Sequence, residues 1–288
     1  MSIGRHIPGN GKRISYYGFG RTTAFACQAE PRCSYCMYVP RAFDEESDRV
    51  WPLAIMVHGT GRTNTAYRDA MVDWAEAEGC IILAPLFPSG IIEPGDLNNY
   101  KWIRFHDMRF DLILLAMVDE IAALYPIDRD NLLLHGFSGG GHYAHRFAYL
   151  HPQRLLGVSI GAPGAVTLLD TTRPWWVGVA DIEQQFGIPL DLDAMRRVPA
   201  HFIVGGDDTD TWEITIPESS PRWVPDANMA GRTRIDRIST LRDSFDAADI
   251  ETTLDIVPGY AHAGMAMLPP VQAFFSAQLA RWREERSG

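Results

Sequence analysis

The sequence predicts one α/β domain: a mostly parallel, twisted sheet of about eight strands, helices on both faces, and a small insertion over the sheet's C-terminal edge. Three observations carry this. Short apolar runs at Leu53–Val57, Cys80–Ala84, Asn131–Leu134, Leu155–Ile160 and Ala200–Val204 suit strands buried on both faces. They alternate with stretches of helical apolar spacing, the βα repeat of a parallel sheet. The 288 residues, 46% hydrophobic, can bury one large core, and no linker, repeat or low-complexity tract divides residues 1–288.

In chain order, residues 1–20 are rich in Gly and Arg and read as irregular. Thr22–Cys27 and Ser34–Pro40 read as a hairpin. The Leu53–Val57 strand runs into the loop His58-Gly59-Thr60-Gly61-Arg62. Thr65–Glu78 has helical spacing (Ala66, Ala70, Trp74, Ala77) and stops at Gly79, a good residue to end a helix. After the Cys80–Ala84 strand, residues 85–106 form a long, Pro-containing loop of the kind that often carries function. Asp107–Leu124 is an amphipathic helix closed by Tyr125-Pro126. A strand at Asn131–Leu134 and a helix at Tyr143–Leu150 flank a glycine-rich turn. Residues 161–198, with Pro163, Pro174, Pro189 and Trp175-Trp176, break the alternation after the sixth strand and read as a lid or insertion with a short helix near 181–186. A polar loop at 211–230, a helix at Arg232–Ala248, a strand at Thr252–Val257 and a terminal helix at Met267–Glu285 complete the chain.

Composition narrows the function classes. With 36 acidic against 26 basic residues, the formal charge of −10 disfavours nucleic acid and anionic membrane as partners. No apolar run is long enough to span a bilayer, and Met1–Tyr17 lacks the apolar core of a signal peptide. Of the four cysteines, Cys33 and Cys36 have metal-like spacing, but no second pair or nearby histidine completes a zinc site. Ordinary buried thiols and a cytoplasmic location are expected. His142-x-x-His145 is only an i, i+3 pair, so neither metal nor organic cofactor is expected.

The chemistry concentrates at His135-Gly136-Phe137-Ser138-Gly139-Gly140-Gly141-His142. Gly136-x-Ser138-x-Gly140 between strand and helix is a nucleophile-elbow pattern, in which a sharp turn exposes the serine hydroxyl beside free N–H groups at a helix start. Serine needs a base, and the base needs an acid to orient it. In an open α/β sheet these sit in loops after strands. His262, five residues beyond Val257, fits the base. Asp208, the third residue after Gly205, fits the acid, ahead of Asp207 and Asp210. Gly139 and Thr60 N–H groups, with Gly61 in reserve, suit an oxyanion hole.

Together His58-Gly59-Thr60-Gly61, Gly136-Phe137-Ser138-Gly139-Gly140, Gly205-Gly206-Asp207-Asp208 and Pro258-Gly259-Tyr260-Ala261-His262 make the sequence resemble an α/β-hydrolase-fold serine hydrolase. The opening hairpin and the lack of a large cap are similar to polyhydroxybutyrate-depolymerase-like and feruloyl-type esterases. The resemblance implies hydrolysis of a small-molecule carboxylic ester through an acyl-enzyme. Peptidase, amidase, thioesterase, carbon–carbon hydrolase and acyltransferase chemistry share the same motifs, and a non-catalytic binder of this fold is a further alternative. Trp102, Arg104, His106, Trp175, Trp176 and Trp212 are the candidates to line a pocket, which would favour a bulky or aromatic ester. The sequence leaves the oligomeric state open, a homodimer being one option.

Overall fold

The computed structural model describes residues 14–287. Of the N-terminal segment expected to be irregular, residues 1–13, His6 among them, lie outside the described residues.

The main sheet contains β1 (Gly20–Arg21), β2 (Phe25–Ala26), β3 (Ser34–Val39), β4 (Trp51–Val57) and β5 (Ile81–Leu86). A separate small hairpin, β6 (Arg104–Phe105) and β7 (Met108–Arg109), intervenes before β8 (Ile127–Phe137), β9 (Leu155–Gly161), β10 (Ala200–Gly205) and β11 (Thr252–Val257). The main sheet has nine strands in the order β1-β3-β5-β4-β8-β9-β10-β11, with β2 also on β3. From β5 to β11 every pairing is parallel, whereas β3 runs antiparallel to β1, β2 and β5. This is the α/β-hydrolase fold class expected from the sequence.

The helices are α1 (Asn64–Ala70), α2 (Val72–Glu78), α3 (Phe110–Ala122), α4 (Gly139–Leu150), α5 (Ile182–Phe186), α6 (Leu192–Met195), α7 (Arg234–Asp246) and α8 (Leu268–Ser287). Successive residues of a strand point to opposite faces, and β10 displays both layers. His201 stacks on Phe274 of α8 at 5.1 Å, while Phe202 meets Phe245 of α7 edge-on at 5.3 Å. On the α8 side, Trp74 of α2 packs against Phe275 and donates to Ser276 Oγ at 2.9 Å. On the α7 side, Tyr149 of α4 packs on Phe245, and the Tyr143 hydroxyl of α4 bonds the Phe110 carbonyl of α3.

Several elements differ from the sequence reading. The helix expected over 65–78 is two, broken at Met71. The helix expected from Asp107 begins at Phe110, because residues 104–109 close the β6–β7 hairpin. β8 is eleven residues long rather than the apolar Asn131–Leu134, since its polar first half is a strand too. α4 begins at Gly139, immediately after the serine, because the backbone enters the helix directly from the turn. The sheet has nine strands instead of about eight, and the insertion at 161–198 follows its seventh strand rather than its sixth, because Gly20–Arg21 adds a short pairing on β3.

The chain reverses its direction of sheet growth between β4 and β8. β5 lies on one side of β4 and β8 on the other, so the loops leaving β4 and β8 part and open a crevice at their C-terminal ends. Val57 pairs with Gly136, which puts the 58–61 loop beside Ser138. Leu134 of β8 is fully buried between Ile55 and Val158. Leu134→Ala should cost about 2–5 kcal/mol of stability, read as a lowered urea midpoint at unchanged slope; a cost below about 0.5 kcal/mol would contradict this account of the core.

Candidate active site

The elbow is built by close approach. A Cβ on Gly136 would lie 2.2 Å from the Gly140 carbonyl oxygen and one on Gly140 2.3 Å from the Val57 carbonyl oxygen, so both turn positions must be bare. Between them Ser138 sits at φ 57°, ψ −115°, where side chains rarely go. Its N–H donates to the Gly161 carbonyl of β9 at 2.8 Å, and its carbonyl accepts the His142 N–H at 3.0 Å. The strained residue is thus tied to both the sheet and the helix.

The facing loop is equally fixed. His58 is fully buried and accepts the Phe87 N–H at Nε2 (3.0 Å), so its Nδ1 carries the proton and donates to the Gly59 carbonyl at 2.8 Å. Burial pushes His58 down to about 3, keeping it neutral. The Gly59 carbonyl also accepts the Arg62 N–H. In a trans peptide the next N–H points the opposite way, so holding this oxygen aims the Thr60 N–H. A Cβ on Gly139 would stand 3.2 Å from that Thr60 nitrogen, 2.5 Å from the Tyr100 hydroxyl and 2.8 Å from Lys101 Cε. The Thr60 nitrogen therefore lies beside Gly139 at the start of α4.

Asp208 and His262, the acid and base expected from the sequence, follow β10 and β11, which are paired in register up to Gly205 and Val257. Beyond the sheet, the Gly206 N–H bonds the Val257 carbonyl and the Asp207 N–H the Tyr260 carbonyl, so the two loops leave together. This turn exposes Asp207 and Asp210 and buries Asp208. His262 Nδ1 donates to Asp208 Oδ2 at 2.6 Å, and its ring lies 4.8 Å from that of Phe137, next to Ser138. Arg234 donates to the other Asp208 oxygen at 3.1 Å and to Glu213 at 2.5 Å. Burial alone would raise the Asp208 carboxyl, but the His262 bond and the Arg234 charge outweigh it and hold the group below its ordinary value.

A second Ser-His-Asp array crosses the sheet. Ser159 Oγ lies 2.9 Å from His135 Nδ1 and from His201 Nδ1, and His201 Nε2 is 3.1 Å from Asp255. It has the right partners but not the right setting. Ser159 is fully buried inside β9, with an extended backbone and no helix start beside it. A strand-centre hydroxyl buried on the α8 face of the sheet meets no acyl carbon, whereas Ser138 lines a cavity of about 350 Å³.

That cavity corrects the expected pocket. Trp102 lines it, with its ring already packed by Arg146 (4.4 Å), Arg222 (5.3 Å) and Trp176 (5.2 Å). His106 does not line it; it is exposed and bonded to Glu93, because the β6–β7 hairpin turns residues 104–109 away. Arg104 covers Phe186 instead. Trp175 packs on Phe186, and Trp176 anchors the insertion by donating to the Arg222 carbonyl at 3.0 Å. Trp212 stands 79% exposed on a surface turn. The insertion gives the wall only Gly164 and Ala165, while the 211–230 loop supplies Glu213, Ile214, Ile216 and Arg222. Lys101 and His142 also line the cavity; the run Tyr100-Lys101-Trp102 is the signal that could have marked the former.

The elbow-helix histidines hold this wall. His142 Nε2 accepts the Ala165 N–H at 2.8 Å and His145 Nε2 the Thr167 N–H at 3.1 Å. The four cysteines are free and buried. Among the described residues, no group of three or more His, Cys, Asp or Glu could hold a metal ion, and no helix is long and apolar enough to cross a membrane.

This is the architecture of an α/β-hydrolase-fold protein with a serine on the elbow. No family model matches the sequence. Over 125 residues, 43% of this chain, the sequence is 27% identical to Esterase FrsA of Serratia proteamaculans, and the match spans 28% of that protein's length. The fold is similar to LpqC, a poly(3-hydroxybutyrate) depolymerase from Bordetella parapertussis, with TM-score 0.67 and 22% identity over 86% of this chain and 87% of that one. It is also similar to poly(aspartic acid) hydrolase-1 from Sphingomonas sp. KT-1, with TM-score 0.68 and 21% identity over 88% and 97% of the two chains.

Because folding makes Asp208 more acidic, its carboxylate stabilises the fold above the ordinary aspartate value of about 3.9. That contribution is lost as pH falls through the lower folded value. Asp208→Asn should therefore lower Tm at neutral pH and flatten its fall below about pH 4, followed by calorimetry. Acid limbs of equal slope in the two proteins would contradict the assignment.

Proposed function

We propose that this protein is a serine hydrolase that cleaves a small-molecule carboxylic ester through an acyl-enzyme. The observation that carries the reading is the 2.6 Å bond from His262 to buried Asp208, set beside a serine at φ 57° on a strand-to-helix turn. The esterase named among its sequence relatives and the depolymerase named among its structural ones support the same reaction class. The net charge of −10 further favours a small molecule over nucleic acid or an anionic membrane.

In the proposed mechanism each of these residues has one role. Ser138 Oγ attacks the acyl carbon as His262 Nε2 takes its proton. Asp208, bonded to Nδ1, fixes the tautomer and stabilises the imidazolium. The backbone N–H groups of Gly139 and Thr60 hold the oxyanion, each such donor being worth about 10²–10³ in rate. His262 then gives its proton to the departing alkoxide, and the ester C–O bond breaks. In the second half, water adds to the acyl carbon, its proton passes through His262 to Ser138 Oγ, and the free acid leaves. The reading takes the chain as one domain, with 161–198 as an insertion that walls the site, in a cytoplasmic setting.

A fluorophosphonate probe should label wild type on Ser138, as mapped by mass spectrometry. Ser138→Ala should abolish the label and lower kcat by about 10⁴-fold or more, and His262→Ala should slow labelling strongly. An adduct on Ser159, or none on folded protein, would overturn the assignment.

A further inference from the structure

The cavity beside Ser138 has an excess of positive charge and of hydrogen-bond donors. Its wall carries three cations, Lys101, Arg222 and Arg234, against one carboxylate, Glu213. Arg234 is neutralised by Asp208 and Glu213, and Arg222 bonds Asp96 at 3.2 Å. Lys101 differs from both. It is 7% exposed, its Nζ bonds the neutral Asn98 Oδ1 at 2.8 Å, and among the described residues no carboxylate lies within ion-pair distance of it. A buried ammonium with one neutral partner is expensive to maintain.

Two neutral donors share the wall. The His142 ring accepts a backbone N–H at Nε2, so its proton is on Nδ1, which is buried with no protein partner. The Trp102 indole N–H is buried without a partner as well. Behind them Arg62 and Arg146 are satisfied by backbone carbonyls and neutral side chains, so they add charge without adding a carboxylate. A protein of net charge −10 thus places two paired arginines and Lys101, which has no carboxylate partner among the described residues, on a cavity that reaches its elbow serine. A buried ammonium on the cavity wall with one neutral partner calls for a ligand that is an acceptor.

We infer that the substrate is an ester bearing a carboxylate, and that Lys101, backed by Arg222, binds that carboxylate next to the scissile bond. The inference rests on the ester-hydrolase reading and narrows its substrate class. It replaces the aromatic pocket expected from the tryptophans, whose rings pack on arginines and on one another.

Two matched ester pairs test it, one charged on the acyl side (monoethyl glutarate against ethyl valerate) and one on the alcohol side (4-carboxyphenyl against phenyl butyrate). Wild type should favour the charged member of at least one pair by about tenfold in kcat/KM, mainly through KM. Lys101→Met should remove that preference, and Arg222→Gln should reduce it. Arg104→Ala, which deletes a cation outside the cavity, should leave it intact. Burial, with Arg62 and Arg222 nearby, lowers Lys101 to about 8 against the pull of Glu213 and Asp96, so the preference should fade as pH rises past that value. Because folding costs Lys101 proton affinity, the charged side chain opposes folding at neutral pH, and Lys101→Met should keep or raise Tm. Preference for the neutral ester in both pairs, or an equal loss on charged and neutral esters in Lys101→Met, would overturn the inference. Absence of fluorophosphonate labelling in wild type would instead bring down the hydrolase reading, and this inference with it.

Discussion

Ser138 is held in a backbone conformation that costs a non-glycine residue about 1–3 kcal/mol, and the rest of the site depends on that cost being met. Three constraints meet it: the Ser138 N–H is tied to Gly161 of β9, the Ser138 carbonyl is tied into α4, and Gly136 and Gly140 touch with no room for a side chain. Relaxing any of them would rotate the hydroxyl off the end of the sheet and pull the first N–H groups of α4 out of line with Thr60. The long parallel pairing of β8 with β4 and β9 supplies the rigidity, since a single edge strand could not resist the torsion.

Around this turn, buried charge is managed by connection rather than by exclusion. Asp208 is buried with His262 on one oxygen and Arg234 on the other, and Arg234 reaches on to Glu213. One turn further along α7, Arg237 bonds the carbonyls of Gly164 and Ile214, joining the insertion to the 211–230 loop. The capping box of Thr233 and Asp236 fixes where α7 starts and so where both arginines project. The helix that supports Asp208 therefore also builds the cavity wall, which couples the Asp208–His262 pair to the shape of the pocket.

His142 and His145 show how an ordinary helix face becomes part of this assembly. Each accepts a backbone N–H from the insertion, at Ala165 and Thr167, and burial together with Arg146 drives both far below the usual histidine range. Kept neutral, they act as fixed hydrogen-bond acceptors on the elbow helix. They are structural braces whose i, i+3 spacing reflects the helix rather than a metal.

The sequence by itself determined the mostly parallel sheet, the succession of its central strands along the chain and the elbow. Those depend on local signals: apolar runs of strand length, helical spacing, and glycines wherever backbones must touch. It also placed His262 and a cluster of aspartates after the correct strands, because strand ends can be counted along the chain. Only the tertiary structure decided which aspartate turns inward. That depends on the pairing of the Gly206 and Asp207 N–H groups with the neighbouring loop, which no residue type announces. Only the tertiary structure decided the pocket, too. Of the tryptophans read as lining, Trp102 reaches the cavity, while Trp175 packs on Phe186, Trp176 anchors the insertion and Trp212 stands in solvent; Lys101, Arg222 and Arg234 converge on that cavity from distant loops and a helix. Strands are specified by neighbours in sequence, but a cavity wall is specified by loops that meet across long separations, where a single charged residue carries no local trace of what it will face.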